Sequence, residues 1–282
     1  MPMAQLVTTE WLANETGASD LRIVDATAFM PNDERDPAEE FASAHIPGAV
    51  FLNLPRLADT DNPVPNMLPS AEKFASRMRE LGIGDGSRIV IYDNSGFATA
   101  ARAWWMFKLY GVNDVALLDG NMAKWQAEGR DIASGDAEIR SRHFTAWKDA
   151  AQVRSKQDMR ANVDSGAEQV IDARPANRFD GSTPEPREGM AAGHIPGSRN
   201  VPLSNLFRAD GTWKQPEDLR AVFAEAGVTM DAPVVTSCGS GMTAAALLFA
   251  LKLIGKDDVA LYDGSWSEWG MDPDTPKAQG PA

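Results

Sequence analysis

The sequence predicts an α/β protein made of two tandem copies of one domain, each a parallel sheet flanked by helices on both faces. The first observation behind this is internal repetition. Ile23-Val24-Asp25-Ala26 returns as Val170-Ile171-Asp172-Ala173, and Ala44-His45-Ile46-Pro47-Gly48-Ala49 returns as Gly193-His194-Ile195-Pro196-Gly197-Ser198. Asp114-Val115-Ala116-Leu117-Leu118-Asp119-Gly120 returns as Asp258-Val259-Ala260-Leu261-Tyr262-Asp263-Gly264, and Trp125 and Trp269 extend that match. The period is far too long for a solenoid, so each copy is expected to be a domain. The second observation is that short apolar runs alternate with helical ones in each copy, as in parallel sheets covered by helices. The third is that a glycine closes the main helix of each copy, where a C-terminal cap belongs.

Taken in order, Arg88-Ile89-Val90-Ile91-Tyr92 and Pro233-Val234-Val235-Thr236 read as central strands. Helices are expected over 100–110, stopping at Gly111, and over 243–254, stopping at Gly255. Each is followed by a further strand ending in Asp-Gly. With 282 residues there is room for two domains. The first is expected over residues 1–138, a linker over 139–152, and the second over 153–282.

Composition narrows the function. A hydrophobic content of 43% and a charged content of 24% describe a soluble globular chain. The first ten residues show neither a basic n-region nor a continuous apolar h-region, so no signal peptide is expected. The apolar stretch from Ala244 to Leu251 is too short to span a bilayer, and no membrane partner is expected. One cysteine excludes an internal disulfide, and with only three histidines it argues against structural zinc. Cytoplasmic residence follows as the expectation. A net charge of −13 argues against nucleic acid, which needs a basic surface. An anionic small substrate would need arginines of its own at the site.

The chemistry centres on Cys238, in Val234-Val235-Thr236-Ser237-Cys238-Gly239-Ser240-Gly241-Met242-Thr243. This reads as a strand, a glycine-spaced loop and the first turn of an apolar helix. A sulfur at the head of such a loop lies near main-chain N–H groups and the positive end of a helix, both of which favour its anion. Lone cysteines are more often inert core residues. Here the flanking Gly-Ser-Gly has no packing value, which favours a nucleophile that a reagent can reach. The spacing of the Asp-Gly repeat puts Asn94 opposite Cys238, so the first copy keeps the fold and lacks the nucleophile.

With the His-Ile-Pro-Gly turns, the Trp104-Trp105-Met106-Phe107 helix, the Asp263–Trp269 segment and the cysteine loop, the chain resembles the tandem-rhodanese sulfurtransferases over nearly its whole length. The loop Cys-Gly-Ser-Gly-x-Thr is similar to the 3-mercaptopyruvate branch. The thiosulfate branch usually carries Cys-Arg-Lys-Gly there, and this loop has neither cation.

The resemblance implies that Cys238 takes sulfur from 3-mercaptopyruvate as a persulfide, releases pyruvate, and passes the sulfur to a thiol such as thioredoxin, or to cyanide. It implies no metal and no organic cofactor. Arg178 and Arg187 match the two substrate-holding arginines, and Gly239, Gly241, Met242 and Thr243 form the loop around the substrate. Ser240 matches the loop serine that works with a histidine and an aspartate of the first copy, for which His45 and Asp36 are the expected residues. His194 occupies the same turn as His45, so the two copies suggest a turn-stabilising role that the fold needs regardless of any chemistry by His45. Met242 in place of valine and Ala101 in place of proline are small departures.

Thiosulfate:cyanide sulfur transfer, with the same intermediate, is the alternative reaction. A cysteine phosphatase would need an arginine six positions after the cysteine, where Ala244 stands. A passive sulfur carrier would have no use for the arginine pair.

Overall fold

Apolar runs buried along almost their whole length become the central strands of two five-stranded, all-parallel sheets. The computed structural model describes residues 3–30, 33–136 and 139–281. The expected domain boundary at residue 138 lies outside the described residues. The chain divides into two units: residues up to Thr60 with Leu68–Asp149 and Arg208–Trp213, and Asp61–Met67 with Ala150–Phe207 and the chain from Lys214 onward.

The first unit runs β1 (Leu6–Val7), α1 (Thr9–Glu15), β2 (Leu21–Asp25), α2 (Pro37–Ser43), β3 (Ala49–Phe51), α3 (Leu54–Leu57), α4 (Ala71–Glu80), β4 (Arg88–Tyr92), α5 (Thr99–Leu109), β5 (Val115–Leu118) and α6 (Asn121–Ala127). The second runs β6 (Val153–Arg154), α7 (Lys156–Ser165), β7 (Gln169–Asp172), α8 (Ala176–Phe179), β8 (Arg199–Asn200), α9 (Pro216–Glu225), β9 (Val234–Ser237), α10 (Ala244–Leu253), β10 (Val259–Tyr262) and α11 (Ser265–Trp269). The sheet orders are β1-β5-β4-β2-β3 and β6-β10-β9-β7-β8, the same order under the repeat. Strand β9 therefore lies between β10, which follows it, and β7, from which the chain leaves in the opposite direction. Such a switch point opens a crevice at the carboxyl ends of the strands, where ligands of open α/β sheets bind.

The helices repeat in detail. Gly111 N donates to Lys108 O and Val112 N to Phe107 O after α5; Gly255 N donates to Lys252 O and Lys256 N to Leu251 O after α10. Both are Schellman ends, with the glycine at positive φ. Residues Ala244–Leu251 are all buried, as a helix apolar on every side requires. Strand β9 begins at Val234, one residue later than expected, because Pro233 has no N–H for the ladder. It extends to Ser237, whose carbonyl accepts from Ala173 N at 3.0 Å. Among the described residues no helix is long and apolar enough to cross a membrane.

Candidate active site

Cys238 is the first residue beyond β9, at the carboxyl edge of the second sheet. Its main chain is held from the β10–α11 turn. Cys238 N donates to Ser265 Oγ at 3.1 Å, and Trp266 N donates to Cys238 O at 2.9 Å. Ser265 has φ +48, a left-handed conformation that a serine adopts at some cost, and its hydroxyl also donates to Tyr262 O at 2.8 Å. These bonds fix where the loop leaves the strand.

The loop itself is open in a specific way. Among the described residues, the N–H groups of Gly239, Ser240, Met242 and Thr243 donate to no protein acceptor, and the first bond of the following helix is Ala245 N to Met242 O. Several main-chain donors are thus left for an anion. Gly239, Ser240, Met242 and Thr243 are half-buried and Gly241 is buried at φ +75. Cys238 itself is 1% exposed, so the freely reachable sulfur expected from the sequence is instead covered, at the base of this partly open loop. The reason is positional: the residue that ends a central strand is enclosed by that strand's neighbours.

Arg178 and Arg187 both converge on the residue after the cysteine. Arg178 comes from α8, and a β-carbon built on Gly239 would lie 3.3 Å from its Nη2. Arg187 Nη1 donates to Ser267 Oγ at 2.8 Å, while Ser267 N and Oγ donate to Gly239 O at 2.8 and 2.6 Å.

Behind them lies a buried ionic group that sequence reasoning missed. Glu185, whose side chain is fully buried, accepts from Arg174 Nη1 at 2.8 Å and from Arg178 Nη2. Arg174 also pairs with Asp172 at 2.8 Å, donates to Gly193 O at 2.8 Å, and stacks 4.5 Å over Trp266. Burial pulls the Arg174 pKa down, but Asp172 and Glu185 outweigh it and leave the guanidinium above its ordinary value. Arg174 and Arg178 thus share the Glu185 carboxylate behind the loop.

Ser240 Oγ has Asn66 Nδ2 as its partner, at 3.0 Å. The other two expected residues lie in the first unit and are engaged there. His45 is 3% exposed, with Nδ1 2.8 Å from Phe41 O and its ring stacked on Phe41. His194 repeats this, with Nδ1 2.9 Å from Phe179 O and its ring stacked on Phe179. Each histidine also pairs through its main chain, His45 with Ala133 and His194 with Ala278. Asp36 is the N-cap of α2, its carboxylate accepting from Ala38 N at 2.7 Å and Glu39 N at 3.1 Å. The sequence signal for that cap, Asp-Pro followed by acidic residues, was present.

In the first unit the residue at the position of the cysteine is Asp93 rather than the expected Asn94: Asp25 pairs with Tyr92 as Asp172 pairs with Ser237, and Met122 N donates to Asp93 O as Trp266 N donates to Cys238 O. Asn94, the next residue, has its own polar closure. Asn94 Nδ2 donates to Glu40 Oε2 at 3.1 Å, and Arg35 pairs with Glu40 at 2.6 Å.

Residues 8–128 and 155–272 each match the rhodanese-like domain. The chain belongs to the rhodanese family. It is 40% identical over 277 residues to the 3-mercaptopyruvate sulfurtransferase of Escherichia coli (strain K12), covering 98% of each chain. It is 39% identical to the human protein of that name, over 94% of this chain and 92% of the relative. A thiosulfate sulfurtransferase of Cricetulus griseus is 37% identical, over 98% and 95%. Among solved structures, SseA from Escherichia coli, described as a 3-mercaptopyruvate sulfotransferase, superposes with a TM-score of 0.86 at 39% identity, over 94% of this chain and all of the other.

Proposed function

We propose that this rhodanese is a sulfurtransferase that moves sulfur from 3-mercaptopyruvate through a persulfide on Cys238 to a thiol or cyanide, releasing pyruvate. The observation that carries this reading is the convergence of Arg178 and Arg187 on Gly239, one residue from the sulfur. A 2-oxo acid presents a carboxylate and a ketone at a distance from its thiol. Guanidinium groups beside the loop suit such a substrate, while the loop itself carries no cation.

In the first half-reaction the Cys238 thiolate attacks the substrate sulfur. The S–S bond forms as the C–S bond breaks, and the electron pair of that bond passes into the ketone to give the enolate of pyruvate. The loop N–H groups stabilise the sulfur anion and Arg178 and Arg187 the substrate oxygens, with Ser240 supplying a hydrogen bond. The enolate takes a proton to become pyruvate. In the second half-reaction an acceptor thiolate, such as that of reduced thioredoxin, or cyanide attacks the outer sulfur and frees Cys238.

In this reading residues 153–282 form the catalytic domain, 1–138 a supporting one and 139–152 the linker. His45 and Asp36 hold a turn and a helix end, which their local hydrogen bonds support. The lone cysteine suits a reducing compartment such as the cytoplasm. Mass spectrometry after incubation with 3-mercaptopyruvate alone is expected to find one added sulfur on Cys238, with pyruvate released. A higher kcat/KM for thiosulfate than for 3-mercaptopyruvate would overturn the choice of donor, and near wild-type turnover by Cys238→Ser would overturn the mechanism.

A further inference from the structure

The hydroxyl of Ser240 is met by an amide 174 positions away in the sequence: Asn66 Nδ2 lies 3.0 Å from Ser240 Oγ. We infer that Asn66 is a positioning residue for Ser240, holding its oxygen as an acceptor so that its own proton is donated toward the substrate. The inference rests on the sulfur-transfer reading above.

Three features of Asn66 support it. It lies in Asp61–Met67, a segment that belongs to the unit carrying Cys238 although the chain on either side belongs to the other unit. Its φ is +61, in the left-handed region that asparagine tolerates better than most side chains, so a short amide is delivered from a fixed backbone position. Both Asn66 and Ser240 are half-buried, which shields their bond while leaving the hydroxyl open to a ligand.

The chemistry follows from the donor inventory. An amide NH2 only donates, whereas a hydroxyl has one proton and two lone pairs. With one lone pair engaged by Asn66, the serine proton remains to be given in a hydrogen bond. An amide has no basic nitrogen, so Asn66 cannot take the proton, and the serine acts as a neutral donor rather than as an activated base. A neutral O–H beside the ketone oxygen is stabilising when that oxygen gains charge as the C–S bond breaks.

The decisive variant is Asn66→Asp, which keeps the size and the tolerance of positive φ but can only accept. It would draw the Ser240 proton to itself and away from the substrate. With 3-mercaptopyruvate and cyanide, kcat is expected to fall about tenfold while KM stays within about threefold, the pattern of a contact made chiefly in the transition state. Asn66→Gly, which also accepts positive φ, is expected to lose rate without losing thermal stability. In the Ser240→Ala background, Asn66→Asp should change kcat by less than about twofold, because both substitutions remove one function. Wild-type kcat in Asn66→Asp, or effects of the two substitutions that multiply, would overturn the positioning role while sulfur transfer stands. A wild-type protein that releases no pyruvate would remove the parent reading and this one together.

Discussion

Arg178 and Gly239 are packed so that a β-carbon on residue 239 would sit 3.3 Å from Arg178 Nη2. That is tighter than most real contacts, and the atom that must yield, Arg178 Nη2, is the one bonded to the buried Glu185 carboxylate. Gly239→Ala is therefore expected to push the guanidinium by a few tenths of an ångström against that bond. Where an arginine clamps a carboxylate, such a shift weakens binding. The expected result is a KM for 3-mercaptopyruvate raised about three- to tenfold together with a lowered melting temperature, because the strained atom also belongs to the buried Glu185 pair, measured by steady-state kinetics and thermal unfolding.

Glu185 links the site to the stability of the second unit. Its buried carboxylate neutralises Arg174, whose side chain is 1% exposed, and at the same time orients Arg178. Removing one partner of a buried pair leaves the other charge poorly compensated, at a cost of about 3 kcal/mol or more. Asp172 remains with Arg174 and limits the loss. Glu185→Gln should shift the urea midpoint down and raise KM together. A change in only one of the two would show that orientation and stability are separable here.

The repeat made the fold legible. The matched Ile-Val-Asp and Asp-Val-Ala-Leu landmarks sit on strands paired in the same order in both sheets, and Gly111 and Gly255 end their helices as their positions suggested. The cysteine loop stood out by its local pattern, whereas Arg178 and Arg187 stood out only through the family resemblance. What could not be read was contact between distant segments. Asn66 and Ser240 meet only through the tertiary path of Asp61–Met67. Glu185 lies in the polar run Ser182-Thr183-Pro184-Glu185-Pro186-Arg187, which looks like an exposed loop and yet buries its carboxylate. The burial of Cys238 was missed for a related reason, since the glycines around it suggested openness while the end of a central strand enforces cover.

The first unit should carry a pH dependence of stability of its own. Asp93 is completely buried, and that burial, helped by repulsion from Asp25, pushes its pKa from 3.8 up to about 6, against the pull of bonds from Ala100 N and Ser95 N. The native state holds this proton between about pH 4 and pH 6, where the unfolded chain has already lost it. Stability therefore falls as pH rises through that window, by about 3 kcal/mol for a shift of about two units. Asp25 is raised by burial in the same direction. Asp93→Asn, measured by urea unfolding at a series of pH values, should flatten this fall. It should also cost a constant amount, because one amide end would face the Ala100 N–H as a second donor.

The two His-Ile-Pro-Gly turns offer a test that each half provides for the other. Ala49 N donates to Ile46 O at 2.9 Å and Ser198 N to Ile195 O at 3.1 Å, closing turns in which proline precedes a glycine at positive φ. His45 and His194 brace these turns identically, by a ring nitrogen to a phenylalanine carbonyl and by stacking on that ring. If the role is bracing, His45→Ala and His194→Ala should destabilise by similar amounts, about 2 kcal/mol each, from a lost buried hydrogen bond and lost packing. The kcat of His45→Ala should then remain within about threefold of wild type at a temperature where both variants are folded. A loss of kcat beyond a hundredfold in His45→Ala alone, at equal stability, would instead assign that histidine to the chemistry.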